Sequence, residues 1–211
     1  MRRIVVKLGG STAYHAEMRE WVGILAEAVA PLVVVPGGGP FADRVREAQA
    51  QMGFSDASAH FMAILAMEQM GLALLDMNER FSPARTVEEI DAALEHGKVP
   101  VWLPSLMCQA AADIAQSWDV TSDSLAAWLA GRTDAEALLL IKQTDAFGAA
   151  GDVEGLATGG LVDPMLPAML RPRTGLYLAG PGALATARQR LAIGEVPGRE
   201  FAARAAQRGA A

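Results

Sequence analysis

The sequence predicts an α/β protein whose mainly parallel sheet is covered by helices on both faces. Short, continuously apolar segments are bounded by glycine and proline, helical segments separate them, and 52% of the residues are hydrophobic. Strands buried on both faces are apolar throughout, and helical crossovers join parallel neighbours. The 211 residues suit one domain, expected over 1–198, and the Ala- and Arg-rich residues 199–211 are expected to form a C-terminal tail, either a short helix or a frayed end.

The first half of the chain contains two strand–helix units. Residues 3–8 are largely β-branched and end at Gly9-Gly10, which predicts a buried strand. Residues 16–30 repeat apolar side chains at helical spacing, and residues 32–35 form a second apolar strand closed by proline and glycine. Two further helices are expected over 41–52 and over the methionine-rich segment 56–77.

The second half continues the alternation after a break. Ser82-Pro83 is expected to interrupt the chain, since proline lacks a backbone donor. Apolar runs predict strands, and apolar residues at helical spacing predict helices. In chain order, these elements are a helix over 87–96, a strand over 99–103, a helix over 123–131, strands over 138–141 and 175–179, and a last helix after Gly180-Pro181-Gly182.

Composition argues against several classes of protein. Acidic residues outnumber basic ones by 24 to 18, for a net charge of −6, so no nucleic-acid partner is expected. Cys108 is the single cysteine and no signal peptide is visible, which together predict a cytoplasmic location. No apolar stretch is expected to reach the ~18 residues that span a bilayer without a charge or a turn, the richest candidate being residues 23–35.

Two glycine-rich loops follow the first two predicted strands. Glycine lets the backbone approach an anion, and the helix after each loop adds its positive N-terminal end. The pair therefore predicts two phosphate sites or one site for a long phosphate chain, with plain turns as the alternative. Neither loop fits the P-loop pattern or the dinucleotide-binding pattern. The residues concerned are Gly9, Gly10 and Ser11 in the first loop and Gly37, Gly38 and Gly39 in the second.

Lysine is rare in this chain, with three residues in all, and two of them lie in or at the end of predicted strands. Lys7 lies in the first strand, and Lys142 ends the fourth. A compact ammonium group suits a moving phosphoryl group, and beside the glycine-rich loops this interpretation is preferred to that of a strand end that reaches solvent. Asp123 would hold these lysines in place, or it would cap the following helix, as Ser122 also would.

Five other polar residues give weaker signals. Arg44 and Arg46 are two positions apart and do not share a helix face, so Arg44, which is nearer the helix start, is preferred for a substrate anion. Thr144 and Asp145 suit either a nucleotide contact or a turn. His60 is expected to be a packed or hydrogen-bonded histidine, and the sequence has no pattern typical of a metal site.

The motifs taken together resemble the amino acid kinase family, which includes acetylglutamate, aspartate, uridylate and isopentenyl phosphate kinases. The resemblance implies a three-layer αβα sandwich, a homodimer or larger homo-oligomer, and ATP bound with Mg²⁺ beside a small phosphorylated acceptor. The segments that carry it are Val6–Ser11, Val35–Gly39, Thr121–Ser124 and Lys142–Asp145.

The resemblance, with the side-chain chemistry above, implies a role for each matched position. Lys7 and Asp123 would be catalytic. The nucleotide would meet Gly9, Gly10, Ser11, Lys142, Thr144 and Asp145. The acceptor would meet Gly37, Gly38, Gly39, Arg44, His60 and Ser122.

Within the family, the segments 36–46, 58–60 and 117–124 look most like small kinases of methanofuran biosynthesis, which phosphorylate an aminomethyl-furanyl methyl phosphate to the diphosphate. The amine of such a substrate would need a partner, for which His60 and Asp56 are both candidates. One departure is Pro164, which stands where many members have an ATP-contacting lysine, so either Lys142 replaces that lysine or nucleotide binding is weaker. A carboxylate or carbamate kinase and a non-catalytic anion-binding protein are the alternative functions.

Overall fold

A seven-stranded sheet between two layers of helices forms the protein. It is described from a computed structural model, in which residues 3–148 and 150–202 are placed. The strands are β1 (Ile4–Leu8), β2 (Leu32–Pro36), β3 (Phe81–Ala84), β4 (Val99–Trp102), β5 (Ala137–Ile141), β6 (Gly175–Ala179) and β7 (Arg199–Phe201). The helices are α1 (Glu17–Ala26), α2 (Gly39–Met52), α3 (Asp56–Met77), α4 (Val87–Glu95), α5 (Ser105–Ala110), α6 (Ser122–Arg132), α7 (Val153–Thr158), α8 (Leu166–Met169) and α9 (Leu184–Ala192).

The strand order is β3-β4-β2-β1-β5-β6-β7, and every pairing is parallel except that of β6 with β7. The predicted α/β class with a mainly parallel sheet is therefore confirmed. From β1 the chain first builds the sheet toward β3 and then returns to build it toward β7. This reversal places a crevice between the carboxyl ends of β1 and β5, where ligands bind in folds of this kind.

Two strands occur where the sequence predicted none. Ser82-Pro83 does not interrupt the chain but lies in β3, an edge strand, where the missing donor of proline is tolerated. Residues 199–201, expected to begin a helical or frayed tail, are instead β7, in which the buried Phe201 pairs with Leu176. The rest of the predicted tail, from residue 203 onward, lies outside the described residues.

Alternation along the strands divides the core into two layers. Val5 and Val33 face a cluster that includes the buried helix α6, whereas Ile4 and Val34 face the cluster of α1 and α9. Because side chains alternate with a period of two, Lys7 points to the same face as Val5. A lysine is thereby directed toward α6 at the carboxyl end of the central strand.

Among the helices within residues 3–148 and 150–202, α3 alone is long and apolar enough to cross a membrane, judged by length and composition. This corrects the expectation that residues 23–35 are the richest candidate, whereas no such stretch is free of charge, since Glu68 lies within α3. The segment 23–35 is divided between α1, a loop and β2, whereas α3 is continuous and packs against β2, β3 and β4. A helix of a globular core has the same length and composition, so this is weak evidence for a membrane.

The two glycine-rich loops are in direct backbone contact. A side chain at Gly10 would collide with the backbone of Gly39, and one at Gly37 would collide with the backbone nitrogen of Gly10. Gly37 also donates its N–H to the carbonyl of Leu8 at 2.9 Å. Glycine is required here for close approach of the two loops, which places both at one edge of the sheet.

Replacing Gly37 with alanine is expected to lower the free energy of unfolding by about 1–3 kcal/mol, because the added methyl group forces the loops apart. The matched control is Gly23→Ala in α1, where an added methyl group meets nothing within 4 Å. That control is expected to stabilise the protein by about 0.5–1 kcal/mol through helix propensity. Urea denaturation measures the free energy of unfolding of both variants. Equal changes in Gly37→Ala and Gly23→Ala would contradict the close contact between the two loops.

Candidate active site

A buried cluster of three charged side chains lies in the crevice between β1 and β5. Lys7 Nζ is 2.7 Å from Asp123 Oδ1, and Lys142 Nζ donates a hydrogen bond to Asp123 Oδ2. Lys7 and Asp123 are almost completely buried, and the side chain of Lys142 is 16% exposed. Two ammonium groups share one carboxylate, so the cluster has a net positive charge.

Each side chain reaches the cluster through a different element. Lys7 comes from β1, and Lys142 directly follows β5, whose residues pair with β1 in register up to Leu8 and Ile141. Asp123 lies in the first turn of α6, the helix that packs on this face of the sheet. The predicted arrangement of two lysines around Asp123 is therefore present in the structure.

Burial and charge act in opposite directions on the carboxyl group of Asp123. Burial favours its neutral form, but the ammonium groups of Lys7 and Lys142 outweigh burial and lower the pKa of Asp123 from 3.8 to about 2. The pKa of Lys142 is lowered by burial and by repulsion from Lys7, while Asp123 opposes that shift. The carboxylate is thus ionised at neutral pH and partly neutralises the two lysines.

A cleft of about 210 Å³ opens between the two glycine-rich loops and α3. Gly10 and Ser11 line it from the first loop, and Gly38 and Gly39 line it from the second. The cleft also brings together other predicted acceptor residues, since both His60 of α3 and Ser122 of α6 line it. Gly9 lies deeper and donates its N–H to the carbonyl of Ile141 at 3.1 Å.

Arg46 is the arginine that lines this cleft, which corrects the preference for Arg44. Arg44 is exposed, pairs with Glu47 and borders a separate groove. The physical reason is helical geometry: Arg46 is four positions after the cleft-lining Ala42 and shares its face, whereas Arg44 points elsewhere. Trp118, also in the cleft wall, lies 4.3 Å beneath the Arg46 guanidinium group.

Thr144 and Asp145 organise the loops at the ends of β5 and β6. The hydroxyl group of Thr144 accepts a hydrogen bond from the N–H of Ala146 at 3.0 Å, as in a turn. Asp145 Oδ2 accepts one from the N–H of Gly182 at 2.9 Å, which joins the two loops. A nucleotide contact by either residue stays a prediction.

Asp163 is a residue whose importance the sequence reasoning missed. Its carboxylate accepts hydrogen bonds from Thr121 N, Thr121 Oγ1 and Ser124 N, at 2.6 to 2.9 Å. These bonds hold the first turn of α6, which carries Asp123, and the negative charge also favours ionised Lys142. One sequence signal could have identified Asp163: it directly precedes Pro164, the position at which the family pattern has lysine.

The amino acid kinase family profile matches residues 2–148 of this chain. A curated relative, the [5-(aminomethyl)furan-3-yl]methyl phosphate kinase of Methanocaldococcus jannaschii, is 28% identical over 182 residues, which cover 79% of this chain and 82% of the relative.

Two solved structures have the same fold. The uridylate kinase from Archaeoglobus fulgidus superposes with a TM-score of 0.65 at 17% identity, covering 96% of this chain and 100% of that one. The UMP kinase from Bacillus anthracis has a TM-score of 0.68 at 15% identity and covers 97% of each chain.

Asp123→Asn is expected to lower the free energy of unfolding by about 3–5 kcal/mol, because two buried ammonium groups lose their counter-charge. The difference from wild type should be largest above pH 4 and should narrow toward pH 2, since the unfolded carboxyl group binds its proton before the folded one. Denaturant unfolding from pH 2 to pH 7 measures this difference, with Asp119→Asn, an exposed carboxylate nearby, as the control. If the difference in unfolding free energy between Asp123→Asn and wild type did not change with pH, the ion pairing of Asp123 with the two lysines would be contradicted.

Asp163→Ala is expected to lower the free energy of unfolding by about 1–2 kcal/mol, as loss of a helix cap does, and also to lower kcat. Asp152→Ala is the matched control, because Asp152 caps α7 through the N–H of Gly155 at 2.8 Å and does not contact the lysines. A similar loss of stability in both variants, with kcat lowered in Asp163→Ala alone, is the expected result. Equal kcat in the two would show that Asp163 affects stability only.

Proposed function

This chain belongs to the amino acid kinase family and is a phosphotransferase, and we propose that it transfers the γ-phosphoryl group of ATP to a phosphate monoester. The proposed acceptor is an aminomethyl-furanyl methyl phosphate, which becomes the diphosphate. The observation that carries the proposal is the buried Lys7–Asp123–Lys142 cluster beside a cleft lined by two glycine-rich loops. The name of the curated relative supports the choice of acceptor.

The proposed step forms a bond between an oxygen of the acceptor phosphate and the γ-phosphorus, and it breaks the bond from that phosphorus to the β–γ bridging oxygen. ADP leaves with the electron pair of the broken bond. Lys7 would stabilise the negative charge on the phosphoryl group during transfer, and Asp123 would keep both lysines oriented. Because the cluster is preorganised and buried, its charges need little rearrangement as the reaction proceeds.

The described residues around the Lys7–Asp123–Lys142 cluster suit a nucleoside triphosphate. The cluster has two ammonium groups and one carboxylate, which leaves a positive charge that a polyphosphate would neutralise. We propose that Lys142 contacts the nucleotide in place of the lysine that Pro164 replaces. Mg²⁺, carried by the nucleotide phosphates, would supply further charge neutralisation.

The acceptor half of the site suits an anion on a small molecule. Transfer between two phosphate groups brings negative charges together in a protein of net charge −6, so the site needs local positive charge. Arg46 lines the cleft and is held by Trp118 and by Asp43 at 3.3 Å. Backbone N–H groups of the glycine-rich loops and the adjacent start of α2 add to the positive potential.

We also propose that two copies of the chain pair through α3. Met62, Leu65 and Leu72 are 39%, 38% and 57% exposed, and they recur at spacings of three and seven residues along one helix face. An apolar face of this kind is stabilised when another copy covers it. Leu65→Glu with Leu72→Glu is expected to convert a dimer to a monomer in sedimentation velocity, and an unchanged mass would exclude α3.

A cytoplasmic location is proposed on the basis of cysteine chemistry. Cys108 is a free, buried cysteine, and burial and then the charge of Glu68 raise the pKa of its thiol to about 12. The thiol is therefore neutral and unreactive, as is typical of a structural cysteine in a reducing compartment.

Lys7→Ala is expected to lower kcat by about 10²–10³-fold, because a preorganised charge on the transferring group is lost. The KM for ATP should change much less. Lys98→Ala is the control, since Lys98 is exposed and donates to the carbonyl of Glu79 rather than to the site. Rates are measured with ATP and Mg²⁺ on the aminomethyl-furanyl monophosphate, UMP, N-acetylglutamate and carbamate.

Conversion of the furanyl monophosphate to its diphosphate is the expected outcome. Turnover of N-acetylglutamate or carbamate without any phosphate monoester would show a carboxylate or carbamate kinase. No ATP consumption with any acceptor would favour the non-catalytic alternative, and an unchanged kcat in folded Lys7→Ala would contradict the role of Lys7.

A further inference from the structure

His60 lines the cleft and has a buried ring nitrogen without a partner in the described part of the chain. The side chain is 4% exposed, lines the cleft from α3, and also borders a smaller cavity of about 150 Å³. Its Nε2 atom is buried and has no hydrogen-bond partner among the described residues. An unsatisfied buried polar atom is unfavourable, and in a residue that lines a cleft it is a candidate to bind a ligand.

The other ring nitrogen determines which atom carries the proton. His60 makes a hydrogen bond with the backbone of Val120, and since Nε2 has no partner, Nδ1 makes that bond. The N–H of Val120 already donates to the carbonyl of Ser117 at 3.2 Å, so the Val120 carbonyl is the group that accepts from Nδ1. In the neutral ring the proton is then on Nδ1, and Nε2 is a lone-pair acceptor.

The neutral ring is the form expected at the site. Burial lowers the pKa of His60, and the bond to Val120 opposes that shift only in part. A neutral acceptor does not repel a cation, so a protonated amine and a neutral donor are both compatible with it. An anionic group such as the acceptor phosphate would find no donor at Nε2 and has Arg46 and the loop N–H groups elsewhere in the cleft.

We propose that Nε2 of His60 accepts a hydrogen bond from a primary amine on the acceptor, at the end of the molecule remote from the phosphate. This inference rests on the proposed function and deepens it, because it assigns a residue to the part of the substrate that does not react. The apolar side chains of Ile64, Met67 and Leu125 line the cleft as well. They suit a flat, apolar ring between the amine and the phosphate.

The structure also discriminates between the two partners that the sequence left open. Asp56 is exposed, accepts a hydrogen bond from Gln49 Nε2 at 2.7 Å and does not line the cleft. Asp43 lines the cleft, but its carboxylate pairs with Arg46. His60 is therefore a cleft residue whose acceptor atom is both buried and unpaired among the described residues.

The test compares three acceptors that differ only at the amine. Isothermal titration calorimetry measures binding of the furanyl methyl phosphate that carries an aminomethyl group, and of analogues with a methyl or hydroxymethyl group in its place. Wild-type protein is expected to bind the amine at least about tenfold more tightly than the methyl analogue, as loss of a charged hydrogen bond implies. In His60→Leu the amine and methyl compounds should bind equally.

Two further variants keep the test decisive. His60→Gln places an amide oxygen near the position of Nε2 and should retain part of the preference, which a purely structural role of His60 would not explain. Asp56→Asn and Asp43→Asn should retain the preference for the amine. Loss of the preference in Asp43→Asn but not in His60→Leu would overturn the proposal, as would equal binding of all three compounds to wild type.

Phosphoryl transfer, measured on the same compounds, separates this proposal from the proposed function. Preferential binding of the amine without any transfer would contradict the proposed kinase activity on this acceptor and support the His60 contact. Equal kcat/KM for the amine and methyl compounds would support the proposed activity and overturn the His60 contact. Failure of every monophosphate to bind would overturn both.

Discussion

The site depends on the burial of two lysines with a single carboxylate. Removing three charges from water is unfavourable, and here the unfavourable term is offset by short contacts of Lys7 and Lys142 with Asp123. Within these three residues the pairing is incomplete by one charge, and the carboxylate of Asp163 offsets part of the remaining positive potential at Lys142. A polyphosphate is the kind of ligand that would complete the neutralisation, which is why we propose phosphoryl transfer at this cluster.

Several layers of structure hold this cluster in place. The parallel register of β1 with β5 brings the two lysines to the same edge, and α6 brings Asp123 to them from one side. Asp163 then holds the first turn of α6 through three hydrogen bonds. The segment that departs from the family pattern at Pro164 therefore has a structural role here, because the carboxylate of Asp163 holds the helix turn that carries Asp123.

The cleft that we propose for the acceptor has a different architecture. Two glycine-rich loops approach so closely that neither Gly10 nor Gly37 has room for a side chain, and the cleft opens beside this contact. Its polar groups are spread around the wall, with Arg46 held by Trp118 and His60 held by Val120. Such a cleft can contact an acceptor at two separate points, which is how a small site distinguishes similar molecules.

The sequence by itself determined the fold class, the two glycine-rich loops and the grouping of Lys7, Lys142 and Asp123. Continuous apolar runs identify strands buried on both faces, and residues that follow parallel strands must meet at one edge of the sheet. These features depend on local sequence patterns, so they can be predicted before the structure is known.

Only the tertiary structure decided which side chains reach the cleft. Arg46 replaced Arg44 because the direction of α2 selects its face, and His60 was preferred over Asp56 because packing leaves Nε2 unpaired while Asp56 faces Gln49. The capping of α6 by Asp163 joins residues about 40 positions apart. The strand at Pro83 is tolerated because β3 lies at the sheet edge. Contacts between distant segments depend on how elements pack, and no local pattern specifies that.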